Sequence, residues 1–372
     1  MDTFRNKLTA NSQLKLELIE PSISQNKIKL NIAVLNLYEK IRTAFSHDIK
    51  LESISPVNIN KLRRKFIEFN QTINSVTKSK FESDLESLTS INSVKLKIGS
   101  GTITINFLSK PNQIKTVAAL IHAINTFGHT FEYDYDGLQI DIVLDLNYRD
   151  LIDRPINANS FDKLRKQSAA FNVSGVTYKH KKFIQLTKSE EIVKLMFHEM
   201  IHYVGLDAEF VGLTEKFNWA VSDQNFNLSE AYTEFLSIII NSAYQSVHLS
   251  IDFELLLNLE ITYSIYLVSN ILKFYDYDED WPNFFQGIGK SKYSPILTWE
   301  YVIVRTQLLL NLNQVADLVI PGWKITPNNL KGIVNLMKID NNFMNELSFF
   351  MSNTKPINNI SYTAIEIDWD LV

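Results

Sequence analysis

The residues best suited to chemistry are His198, Glu199 and His202 in the stretch "MFHEMIHYVG", residues 196–205. Histidines four apart on a helix lie on one face, a turn above one another, close enough for both imidazoles to bind one metal ion. A glutamate beside the first histidine points around the axis and reaches a metal-bound water without itself being a ligand. The pattern HExxH therefore offers ligand, base and ligand. The chain has no cysteine, so any metal must be held by His, Asp or Glu.

The element that must position them is a helix. Thr187 as N-cap with Glu190 three positions on forms a capping-box pattern, and Gly205 suits a C′ position, so a helix is predicted over about 188–204. Within it Ile192, Val193, Leu195, Met196, Phe197, Met200, Ile201 and Val204 occupy nearly every direction around the axis. A helix apolar all round belongs in a core, where an unpartnered charge is costly. The plainer alternative is two core histidines satisfied by backbone carbonyls and a glutamate that reaches out to water, but the apolar surround leaves Glu199 few neighbours.

A catalytic zinc site usually takes three protein ligands and a water, so a third ligand is required. Gly205 stands where HExxHxxGxxH wants its glycine, but position 208 is Ala; Asp207 and Glu209 flank it and would each need a different turn. The better candidate lies in "NLSEAYTEFLS", residues 227–237, where Glu230 and Glu234 are again four apart on one helix face. Glu230 would be the third ligand, and Glu234 would accept a hydrogen bond from a ligand histidine and fix its tautomer. The alternatives are a capping-box glutamate after Asn227 and an exposed helix acid.

A reaction at a carbonyl also needs a donor to the developing oxyanion. Ser294 and Pro295 read as N-cap and N1 of the helix "ILTWEYVIVRTQLLLNL", residues 296–312, with Arg305 in its most apolar part and Tyr301 four residues earlier on the same face. Tyr301 and Arg305 are the candidates; the competing reading for Arg305 is an ion pair with another core acid. His248 is a weaker candidate. His47, His122, His129 and His180 read as surface or loop residues.

Around these motifs the hydrophobic period changes along the chain. Residues 1–90 read as helical, with helical spacing in 29–45 and 59–76. From residue 93 "VKLKI" and "TITINFL" alternate around "GSG" as a hairpin, followed by a helix opened by Pro111 and Asn112 and closed near Gly128. "FEYDYDG" and "LQIDIVLDL", residues 131–146, read as a second hairpin hinged at Asp136 and Gly137, and "SGVTY" with "KFIQLT" as a third strand pair. After 188 no strand is expected until the last few residues. This segregated order predicts an α+β fold: a helical region over 1–90, a sheet with the histidine-bearing helix over 91–205, and a helical subdomain over 206–372 that completes the metal site.

The bulk numbers exclude several classes. With 372 residues, 45% hydrophobic and 21% charged, the chain can bury a substantial core, and a net charge of −4 invites neither nucleic acid nor an anionic membrane. The basic run "KLRRKF" at 61–66 reads as a solvated helix face. The longest uncharged stretch, 235–251, is interrupted by Ser, Asn, Gln and His, so no membrane span is expected. The first residues lack a continuous apolar stretch and a small-residue cleavage site, so the expected location is intracellular, in the cytoplasm or associated with a virion.

On "HEMIH" (198–202), "SEAYTEF" (229–235) and the strand "KFIQLT" ahead of the first helix, the chain resembles the gluzincin group of zinc metallopeptidases. The resemblance implies a zincin-like fold: a small twisted mixed sheet packed on the active-site helix, followed by a mostly helical subdomain. It implies Zn2+ held by His198, His202 and Glu230, with Glu199 as general base and Glu234 behind the ligands. It also implies that 182–187 is the sheet edge on which an extended peptide or protein substrate pairs. The competing class is a non-catalytic structural or interaction protein, such as a virion or assembly component, that retains a degenerate or structural metal site.

Overall fold

The computed structural model describes residues 2–22, 27–62, 64, 90–144, 175–187, 190–221, 225–289, 299–353 and 361–372. The fold is α+β, and it divides into two compact units, one comprising the described parts of Glu39–Tyr148, Asp162–Val204 and Trp369–Val372, the other those of Met1–Tyr38 and Gly205–Asp368.

The first unit is built on a six-stranded mixed sheet. Its strands are β1 (Lys50–Pro56), β2 (Ser90–Ile98), β3 (Gly101–Ser109), β4 (Gln139–Val143), β5 (Gly175–Tyr178) and β6 (Phe183–Leu186), in the spatial order β1-β2-β3-β4-β6-β5. The β2–β3 hairpin turns at Gly99, whose φ of 60° is the left-handed value such a turn requires. Strand β1 departs from the helical expectation for 1–90. All seven of its residues are exposed, so no buried face imprints a period on the sequence, and pairing with β2 is what makes it a strand. Of the helix expected over 59–76, residues 59–62 are helical and most of the rest lies outside the described residues.

The hairpin expected over 131–146 is corrected. Only β4 is a strand there, and it runs parallel to both β3 and β6. The helix α4 (Ile114–Thr130) carries the chain back along the sheet, so β4 must enter in the direction of β3. Residues 131–138 are the return: Phe131 and Tyr135 are buried, the Tyr135 hydroxyl donates to the Phe131 carbonyl at 2.7 Å, and the Gly137 N–H donates to the Thr102 carbonyl at 3.1 Å. The expected strand pair at 174–187 is present as β5 and β6, antiparallel, with Lys182 in the left-handed region at the turn.

That pairing overturns the placing of a substrate on 182–187. Strand β6 has β4 on one side and β5 on the other, so its backbone groups are used within the sheet, and β5 is the outer strand among the described residues. One face of the sheet is apolar and register-matched: Val94, Leu96 and Ile98 of β2, Ile103, Ile105 and Phe107 of β3, Ile140 and Ile142 of β4, and Ile184 and Leu186 of β6 are all buried. Helices α4 and α5 (Ile192–Val204) pack on it. Gly128 of α4 allows the close approach: a Cβ there would lie 2.6 Å from Ile98 Cδ1.

The second unit is mainly helical. It holds α1 (Asp2–Arg5), α2 (Ala10–Ile19), the short hairpin β7 (Thr214–Lys216) and β8 (Asn225–Asn227), and then α6 (Leu228–Leu249), α7 (Phe253–Phe274), α8 (Trp281–Phe285), a π-helix (Trp299–Val304), α9 (Arg305–Leu310), α10 (Leu312–Val319), α11 (Leu330–Leu336) and α12 (Asn341–Asn353). Helix α3 (Ile32–Phe45) spans the division after Tyr38. The expected cap at Ser294 and Pro295 lies outside the described residues. Helix α7 is long and apolar enough to cross a membrane, yet 89% of its most apolar window is buried within the protein, the mark of a core helix.

A strap formed by residues 361–367 closes this unit. Buried Glu260 accepts the N–H groups of Ala364 and Ile365 at 2.8 and 2.9 Å, and buried Lys15 of α2 donates to the Thr363 carbonyl at 2.9 Å. Each buried charge is thus matched to backbone groups that would otherwise lack partners.

Candidate metal centre

Helix α5 starts at Ile192, not at 188. Glu191 has a φ of 56°, which a right-handed helix cannot contain, and its carbonyl accepts the Leu195 N–H at 2.8 Å. Glu191 also pairs with Lys194 at 3.7 Å in a buried ion pair. The cap expected at Thr187 with Glu190 is therefore corrected, residues 188 and 189 lying outside the described residues. The other end is as expected, with Gly205 at a φ of 79°.

His198 and Glu199 are each only 4% exposed and His202 is half-buried. Their Nε2 atoms approach to 3.2 Å, with the rings 76° apart in plane. That separation is what two zinc–nitrogen bonds of about 2.0–2.1 Å meeting near the tetrahedral angle would span. The donor pair fits a metal of the zinc type.

Glu199 does not reach out to solvent. The Thr177 hydroxyl lies 2.7 Å from its Oε2 and 3.0 Å from its main-chain carbonyl, so its single proton is given to one or the other. Thr177 sits opposite Ile184 and Gly175 opposite Leu186 on the apolar face of the sheet, the face that carries α5. At Gly175 a Cβ would stand 2.5 Å from Glu199 Oε1. A glycine and a threonine, two apart on one strand, thus make room for the carboxylate and hold it.

Helix α6 opens at Asn227, whose side chain accepts the Ser229 N–H at 3.1 Å. The Asn227 N–H, which a capping-box Glu230 would take, is bound instead by Glu300 Oε1 at 3.1 Å. Glu230 is half-buried and its Oε2 accepts the Tyr301 hydroxyl at 2.6 Å. Glu234 is 1% exposed, not an exposed helix acid, and pairs with Arg305 at 3.2 Å.

Among the described residues, His198 and His202 are a donor pair of the sheet-containing unit, while Glu230, the expected third ligand, belongs to the helical unit. The other candidates are used elsewhere. Asp207 is buried and accepts the Ser229 hydroxyl, and Glu209 is exposed. His248 is 18 residues from Glu230 on α6, about 27 Å along the helix.

The two oxyanion candidates have the following partners. Arg305 is wholly buried, bound by Glu234, by the Tyr362 carbonyl at 2.9 Å and by Ser264 at 3.3 Å, so it forms the ion pair with a core acid. The Tyr301 hydroxyl gives its proton to Glu230. Nor are all the remaining histidines solitary: His47 and His129 stack at 4.3 Å, and half-buried His122 meets the edge of Phe45 at 4.3 Å.

Sequence reasoning missed Gly175, Thr177, Glu300 and Tyr362. Gly175 and Thr177 lie on a strand whose register is set by pairing, and nothing in "SGVTY" refers to a glutamate more than twenty residues on. Glu300 carried a usable signal, an acid in an apolar run beside Tyr301.

No protein-family model matches the chain, and no solved structure matches it. An uncharacterized protein of Acanthamoeba polyphaga mimivirus is 42% identical over 348 residues, spanning 90% of each chain. Identity of that extent over nearly the whole length places both in one family, and the chain belongs to the family of this mimivirus protein.

Proposed function

We propose that the protein is a zinc-dependent metallopeptidase of zincin-like architecture, with His198, His202 and Glu230 as ligands and Glu199 as general base. The observation that carries the reading is the 3.2 Å approach of the His198 and His202 Nε2 atoms, with a buried carboxylate beside the first. A structural metal site has no use for that carboxylate. The mixed sheet with α5 on its apolar face agrees with the same reading.

When bound, the ion supplies Lewis acidity, making water nucleophilic near neutral pH and polarising a carbonyl. Glu199 takes the proton of the attacking water and passes it to the leaving nitrogen. Thr177 keeps the carboxylate aimed when it donates to Oε2. An extended peptide adds to β5, the outer strand among the described residues, by main-chain hydrogen bonds, which brings its backbone beside Thr177.

The test is metal analysis together with turnover of a peptide library by the full chain. About one zinc per chain, peptide cleavage, and a Glu199→Gln variant that keeps zinc but loses cleavage are expected. Zinc without cleavage supports the structural or assembly reading, and no zinc after metal-replete purification removes the metal centre.

A further inference from the structure

We infer that Tyr301 is a positioning residue for Glu230, holding that carboxylate to one-oxygen ligation of the metal. The inference rests on the zinc reading above. Its basis is the 2.6 Å bond from the Tyr301 hydroxyl to Glu230 Oε2. A phenol facing a carboxylate is the donor, so Oε2 is engaged by Tyr301 and the carboxylate is turned toward ligation through a single oxygen. One-oxygen ligation keeps the remaining positions on the ion for water and substrate, as a catalytic site requires.

The surroundings are built for this bond. Glu300 takes the Asn227 N–H at 3.1 Å and so relieves Glu230 of the capping role its position would otherwise give it. The next residue, Tyr301, then orients the carboxylate. Both belong to the π-helix, a rare geometry that recurs at functional sites. The Tyr301 ring stacks on Tyr362 at 5.7 Å and 13°, and the Tyr362 carbonyl holds Arg305, which in turn binds Glu234 one turn along α6. Two residues four apart thus grip two acids four apart, and the strap at 361–367 braces the grip from behind.

The experiment compares the full-length native chain with Tyr301→Phe, which removes one oxygen and keeps the stack. Three quantities are read: melting of the metal-free proteins, zinc affinity by chelator competition, and the visible spectrum of the Co2+-loaded forms, which reports coordination number. The expected result is unchanged metal-free melting, zinc affinity weaker by about 10–100-fold, and a weaker Co2+ spectrum as a second carboxylate oxygen joins the ion. Should the variant melt lower, Val319→Ala, a core change in α10, serves as the stability control and is expected to keep native affinity. Native affinity and spectrum in Tyr301→Phe overturn the inference alone. No zinc binding by the native chain overturns the zinc reading and the inference with it.

Discussion

The Thr177 hydroxyl stands 2.7 Å from Oε2 of Glu199, across from an outer strand to a buried helix, with Gly175 leaving the space that the carboxylate fills. A general base works only if its basic oxygen is held at the attacking water, and misplacement of about 1 Å can cost on the order of 10²-fold in rate. Thr177→Val and Gly175→Ala are each expected to lower kcat by about that factor while zinc content stays near one per chain. Unchanged kcat in both would remove the positioning role from this strand.

Metal binding should be visible as stability. A ligand that binds only the folded chain contributes about 2.7 kcal/mol at a hundredfold excess over its Kd. Chelation of the native protein is therefore expected to lower its melting temperature, and the same treatment should leave His198→Ala and His202→Ala unmoved. Differential scanning calorimetry with and without chelator gives the answer; equal shifts in native and variant chains would show that the stabilising ion sits elsewhere.

Arg305 and Glu234 form a pair with exposures of 0% and 1%. Removing one partner of such a pair strands the other charge and costs about 3–5 kcal/mol, whereas replacing both with apolar groups is often nearly neutral. Arg305→Met is expected to lose stability in that range, and Arg305→Met with Glu234→Leu to recover most of it, measured by urea denaturation of the metal-free chain. A double variant no better than the single would mean the pair is not coupled.

Acid should weaken the sheet-containing unit through its histidines. Burial lowers the pKa of His122 from the ordinary 6.5, partly offset by a hydrogen bond with the Phe45 backbone. Burial also lowers that of His129, helped by the nearby His47 and Lys50. A histidine depressed in the folded state gives stability that is present above its unfolded pKa and lost as pH falls through the folded one. Melting temperature is thus expected to drop below about pH 6.5, and to drop less steeply in His122→Asn with His129→Asn. Parallel pH profiles for native and double variant would show that these histidines do not carry the dependence.

Legibility of the fold in the sequence followed the range of the interactions. The β2–β3 hairpin and the pairing of β5 with β6 were readable because alternation and a tight turn are local properties. The parallel place of β4 was not, because "FEYDYDG" looks like a strand and only the path of α4 decides the direction in which the chain re-enters the sheet. Strand β1 was hidden by full exposure, and the three-residue strands β7 and β8 by their length. The interior position of β6 depended on what pairs beyond it, which no window of sequence contains.

The sequence by itself determined the spacing of the chemistry. Helix geometry alone brings residues four apart onto one face, so "HEMIH" aligned two imidazoles and "SEAYTEF" two carboxylates before any packing was known. Tertiary structure decided which partner each received: Thr177 for Glu199, Tyr301 for Glu230, Arg305 for Glu234. It also turned Arg305 from a candidate for the reaction into a buried counter-ion. The reason is that periodicity is written in a dozen neighbouring residues, whereas the neutralisation of a buried charge is settled by whichever distant segment the folded chain brings against it.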